Sequence, residues 1–169
     1  MINQIQRNYL EIKSLNELIE VKKPIKSLNL VKVEPVDFQL NKFFYKEIGK
    51  KHNWVDRLIW NDKKWTDYIN SPNVFTYILK NKEDLVGYFE QNIYLQKDEC
   101  EIAYFGILEE YIGRKIGAYL LSEAIKKSFK NGSKRIWVHT CSLDHKHALD
   151  NYLSRGMKIF KSEKIKIKN

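Results

Sequence analysis

A change of hydrophobic period near residue 110 constrains the fold of this chain more than any other feature. Before it, three β-type runs follow one another: 73–80 (NVFTYILK), 85–95 (LVGYFEQNIYL) and 100–108 (CEIAYFGIL), separated by polar turns at 81–84 and 96–99. After it, residues 116–132 place Ile116, Leu120, Leu121, Ala124, Ile125 and Phe129 on one helical stripe, and Gly132 supplies the stop. A strand that runs through a glycine-bearing turn into a long helix aims backbone N–H groups and the positive end of the helix dipole at one point. RIWVHTC (135–141) reads as a further strand, and 147–155 as a short helix ended by Gly156. MKIF and KIKIK read as a last hairpin. The order predicts an α/β fold, α+β in some schemes, with one mixed, mostly antiparallel sheet flanked by helices.

Upstream, residues 29–34 (LNLVKV) read as a strand and 37–50 as a helix with Asp37 as N-cap. Residues 54–60 and 63–71 read as two short helices, the second capped by Asn61 or Asp62. Residues 1–28 form a polar leader with one apolar patch at 9–12, expected to pack on or lead into a single domain over 29–169. The chain has 169 residues, a size that buries a sufficient core without metal or disulfide staples. Its 43% hydrophobic fraction excludes an intrinsically disordered chain. No apolar run is long enough for a membrane span, and no signal-like segment opens the chain, so a soluble cytoplasmic protein is expected. Two cysteines, Cys100 and Cys141, suit a reducing compartment. A net charge of +9 favours anionic partners, and the abundance of Lys, Asn and Ile is equally the signature of a biased genome.

The turn itself reads Ile112-Gly113-Arg114-Lys115-Ile116-Gly117-Ala118. Its two glycines allow close backbone approach, and Arg114 and Lys115 add cations, which together make a pyrophosphate cradle. Neither a P-loop nor a dinucleotide fingerprint is present. Here the chain resembles the GNAT superfamily of N-acetyltransferases, whose phosphate signature is usually Q/R-x-x-G-x-G/A. Aligned on Gly117, this chain has Ile112 where Gln or Arg is usual and Lys115 where the first Gly is usual. ECEIAYFGI (99–107) is similar to the family's fourth strand. Ala148-x-x-x-Tyr152-x-x-x-Gly156-Met157 is similar to its late A-x-x-x-Y-x-x-x-G-F signature, and His145 falls where many members carry Asn.

The resemblance implies a GNAT-like sheet and transfer of an acetyl group from acetyl-CoA directly to a primary amine. It places the diphosphate on 112–118 and the pantetheine arm along the backbone of Phe105, Gly106 and Ile107, where the fourth and fifth strands diverge. His145 would also hold the cofactor. An alkylamine with a pKa of about 10 must lose a proton before it attacks. Glu101 is the first candidate base, on an alternating strand face shared with Ala103, Phe105 and Ile107, and Glu90, on a face with Tyr88 and Asn92, is the second. Tyr152 is the candidate acid for the departing thiolate.

His139, Cys141, His145 and His147 do not match a common zinc pattern, so no metal is expected. His139 either lines the acceptor end of the cleft or is a satisfied structural histidine. Asp56 or Glu47 would hold an ammonium group among the aromatic side chains of 43–68. The expected partner is an amine-bearing small molecule or protein, with neither membrane nor nucleic acid, and a homodimer stays open. The alternatives are a non-catalytic acyl-CoA sensor and a basic module for RNA or an acidic protein.

Overall fold

The computed structural model of the chain describes residues 2–168. Seven strands form one sheet: β1 (Ile2–Ile12), β2 (Leu28–Lys32), β3 (Val74–Asn81), β4 (Asp84–Tyr94), β5 (Glu99–Ile107), β6 (Arg135–Cys141) and β7 (Lys158–Lys168). Four helices flank it: α1 (Phe38–Gly49), α2 (Asp62–Ile69), α3 (Ile116–Lys130) and α4 (Ala148–Ser154). The strand order is β2-β3-β4-β5-β6-β1-β7. Every neighbouring pair is antiparallel except β5 and β6. The mixed, mostly antiparallel sheet expected from the period change is therefore present.

Each face of the sheet has its own core. Under α3, the fully buried Ile116, Leu120, Leu121, Ala124 and Ile125 pack on Leu79, Phe89, Ile102 and Ile136. Burying each large aliphatic side chain contributes about 1.5–3 kcal/mol relative to exposure. Under α1, Phe44 and Ile48 pack on Ile78, Tyr88 and Leu108. Asp37 caps α1 by accepting from Gln39 N–H at 2.9 Å, and Asn61 caps α2 by accepting from Lys64 N–H at 2.9 Å.

Three local expectations change. The polar leader contains β1, an interior strand paired with both β6 and β7. Its alternation is hidden because only Leu10 and Ile12 enter the α3 core, whereas Gln4 and Gln6 are exposed and Arg7 faces a cleft. Backbone pairing on two edges holds the strand where side-chain burial does not. Residues 54–60 form turns instead of a helix. KIF (158–160) and KIKIK belong to one continuous strand, β7, with an irregularity opposite Tyr9 and Leu10, and Met157 precedes it.

Candidate active site

β5 and β6 pair only over Glu99–Glu101 against Arg135–Trp137. Beyond that row they part, and a cleft of about 730 Å³ opens between them. α1 and the segment after it wall one side, and α3 and α4 the other. The open edge of β5 carries unpaired backbone. Leu108 N–H donates to Val86 O at 2.8 Å toward β4, so alternation turns the N–H and C=O of Phe105 and Ile107 into the cleft.

A β-bulge changes which side chains share a face. Glu90 is paired with Tyr104 and Gln91 with Ile102, leaving Ala103 as the extra residue. Ile102 and Phe105 consequently both point to the α3 core, and Tyr104 points to the α1 side. Glu101 alternates with Ile102 and so lies on the α1 side with Tyr104, not with Phe105 and Ile107 as simple alternation predicts. Gly106 is required by packing on that same face. A Cβ there would lie 2.7 Å from Ile48 Cγ2, so the glycine admits α1 and not a ligand.

The glycine-bearing turn opens α3 without a side-chain cap, which leaves the first-turn amides at the cleft. Gly113 adopts φ +87° and Lys115 φ +61°, both left-handed, which explains physically why glycine suits the Lys115 position. Gly113, Lys115, Gly117 and Ala118 line the cleft, as does Ile112, whose side chain is largely exposed. Two expected members of the cradle point elsewhere: Ile116 is buried in the core, and Arg114 lies over the Tyr111 ring, 5.7 Å from its centroid. Asn151 Nδ2 donates to Gly117 O at 3.2 Å, tying α4 to α3 beside the turn.

The three candidate catalytic groups fall in different places. Glu101 stands in the last paired row before the strands part, opposite Trp137, and accepts from Tyr94 Oη at 2.9 Å. Burial, followed by the Glu101 carboxylate, pushes Tyr94 up to about 12, so it remains a donor. Tyr152 is buried in the cleft wall, its ring 6.4 Å from that of Phe105. Burial and then the Asp144 charge raise its pKa, which keeps the phenol protonated. Glu90 is not at the cleft. It is fully buried and accepts from Arg57 Nη1 at 2.9 and 3.1 Å. Five rings surround that guanidinium, the nearest being Tyr68 at 4.2 Å and Tyr104 at 4.3 Å. Burial acts to strip the Arg57 proton, but Glu90 outweighs it and holds the cation. A carboxylate locked in this way does not meet an acceptor, so its placement speaks against the role of base.

His139 lies on β6 with part of its surface open to the cleft and its imidazole shielded beside Tyr9, the ring centroids 5.7 Å apart. It lines the cleft and is not part of the core. His145 also lines the cleft, 5.8 Å from His52 and 5.4 Å from His147 between ring centroids. Loss of water contact lowers both imidazole pKa values, followed by Arg7 for His139 and by His52 for His145. The folded chain therefore binds fewer protons than the unfolded one just below the ordinary value of 6.5. Stability is complete above that value and declines as pH falls through it. Melting temperature is expected to drop between about pH 6.5 and 5, above the range where carboxylates titrate. His139→Gln should flatten that slope, and an unchanged slope would remove His139 from the account. Among the described residues no cluster of His, Cys, Asp and Glu is arranged to hold a metal.

Sequence reasoning missed two parts of the site. Arg7 enters the cleft from β1. Asp144 accepts from Cys141 N–H at 3.0 Å, Thr140 Oγ1 at 2.5 Å and Trp54 Nε1 at 3.4 Å, and so bridges the segment after β6 to the segment after α1. Asp56 lines the cleft and Glu47 does not, since Glu47 accepts from Lys50 Nζ at 2.7 Å.

The family model described as "Acetyltransferase (GNAT) family" matches residues 40–157. None of the curated proteins matches the sequence. Several solved structures share the fold. A GCN5-related N-acetyltransferase from Sphaerobacter thermophilus superposes with a TM-score of 0.75 at 13% identity, covering 98% of this chain and 52% of that one. An aminoglycoside acetyltransferase from an uncultured soil metagenomic sample, solved with trehalose, gives 0.66 at 14% identity over 79% of this chain and 90% of that one. The ribosomal-protein-S18-alanine N-acetyltransferase from Escherichia coli gives 0.59 at 16% identity over 76% of each chain. The chain spans 52%, 61% and 56% of three of the longer structures it matches. Among the described residues no helix is long and apolar enough to cross a membrane.

Proposed function

The chain belongs to the GNAT acetyltransferase family, and from that premise we propose that it moves an acetyl group from acetyl-CoA directly to a primary amine. The observation that carries this reading is the parting of β5 and β6 into a cleft that begins at the uncapped start of α3. The amides of Gly113, Lys115, Gly117 and Ala118, with the Lys115 ammonium, would hold the diphosphate. The free backbone groups of Phe105 and Ile107 would hold the pantetheine arm, and His145 would line its path. The residues present fit such a ligand because donors and a cation meet its anionic end while apolar walls meet its arm.

The amine would approach from the α1 side, where Glu101, His139 and Asp56 are found. Glu101 lies outside the cleft lining, so it would take the proton through water. The amine nitrogen then attacks the thioester carbonyl carbon, and a backbone N–H of the open β5 edge stabilises the oxyanion. The C–S bond breaks and the thiolate leaves. Transfer from Tyr152 would be uphill, because burial raises its pKa above that of a thiol. Its part is therefore a hydrogen bond to the developing thiolate. Tyr152→Phe is expected to lower kcat roughly 10–100-fold, the worth of one charge-assisted hydrogen bond, with acetyl-CoA affinity unchanged. Equal loss of both would make Tyr152 a cofactor-binding residue instead.

The acceptors named for related structures, an aminoglycoside and the alanine of ribosomal protein S18, define a first panel alongside polyamines. Thiol release with any of them above the acceptor-free rate supports the reading. The left-handed Lys115 in the phosphate turn favours a second reading, an acyl-CoA sensor, since a non-glycine residue there costs about 1–2 kcal/mol. A sensor binds acetyl-CoA and releases no thiol with any amine.

A further inference from the structure

The groove between α3 and α4 holds a cation without a counter-charge. Arg155 follows α4 as its C-cap and is 9% exposed, yet it lines the cleft. Among the described residues no carboxylate lies within ion-pair distance of it, and its buried Nε has no hydrogen-bond partner. Burial lowers its pKa and no neighbouring charge offsets the effect. The buried cation of Arg57 presents a contrast, because it is neutralised by Glu90. Burying an unpaired guanidinium is unfavourable unless an anion arrives to meet it.

The position of Arg155 indicates which anion. Asn151, one helical turn earlier on α4, donates to Gly117 O in the phosphate turn. Arg155 therefore emerges about 6 Å further along the same helix, within reach of a ligand seated on that turn. Ser154 lines the same stretch of groove. The diphosphate is already provided for by the amides of 113–118, so Arg155 is left for a second anionic group of the same molecule. CoA carries one on its ribose, a phosphate monoester whose oxygens match the two-pronged guanidinium.

We infer that Arg155 binds the ribose 3′-phosphate of CoA, so that the protein distinguishes CoA thioesters from their dephospho forms. The inference rests on the acetyl-CoA reading above. Calorimetric titration of wild type, Arg155→Met and Arg155→Lys with acetyl-CoA and with 3′-dephospho-acetyl-CoA tests both separately. Wild type should bind acetyl-CoA at least about tenfold more tightly than the dephospho form. Arg155→Met should bind both alike, at the wild-type affinity for the dephospho form, and Arg155→Lys should keep part of the preference. Ligand-free Arg155→Met should melt at or above wild type, because a buried Nε without a partner is gone. A preference that survives in Arg155→Met, an equal loss on both ligands, or a lower melting temperature without ligand would overturn the assignment. Wild type binding both ligands equally removes this inference alone, and wild type binding neither removes the acetyl-CoA reading with it.

Discussion

Glu90→Ala is expected to destabilise the fold by about 3–5 kcal/mol, because it strands a buried guanidinium without its counter-charge. Arg57 is 6% exposed and Glu90 0%. The two are joined by hydrogen bonds of 2.9 and 3.1 Å within a ring of aromatic side chains. Arg57 N–H also donates to Tyr45 Oη at 3.0 Å, so the pair fixes the segment 54–60 to the body of the protein. For a domain of this size the loss should appear as a melting temperature lower by roughly 10 °C. Glu90→Leu combined with Arg57→Met should restore much of it, since an apolar replacement of a buried pair is often neutral or favourable. The same comparison separates structure from catalysis. Turnover retained by the Glu90→Leu, Arg57→Met double variant would exclude Glu90 as the base.

Gly117→Trp should leave the fold intact and lower acetyl-CoA affinity by more than about a hundredfold, the combined worth of two charge-assisted hydrogen bonds. A Cβ at Gly117 meets only ordinary contacts, 3.7 Å to Ile107 Cγ1 and 3.9 Å to Asn151 Nδ2. The indole must then extend into the space in front of the first-turn amides. Calorimetry on a variant with an unchanged melting temperature reads this directly, and unaltered affinity would place the phosphates elsewhere.

The parts of the fold that follow a strong period were legible in the sequence. The stripe of α3 and the three-strand meander announce themselves because each buries a continuous apolar face. The turn at 112–118 was legible because glycines mark backbone that side chains would obstruct. Elsewhere the pattern misled for specific reasons. The bulge at Ala103 leaves no mark on composition, yet it moves Glu101 to the opposite face from Phe105. β1 is polar over much of its length because its far end has little core to enter, so only register with β6 and β7 reveals it. Residues 54–60 carry helix-compatible apolar spacing at Trp54, Val55, Leu58 and Ile59, but Arg57 and the rings around it hold turns. Glu90 looks like any solvated strand residue until its partner, 33 positions away, is seen. The catalytic assignments depend on such long-range placements, and sequence spacing alone does not encode them.

A crystal structure with bound CoA tests the central claim most directly. It should show the diphosphate on the amides at the start of α3 and the sulfur between the separated ends of β5 and β6, near Tyr152. A nucleotide on another surface, or β5 and β6 closed together without the pantetheine arm between them, would contradict it.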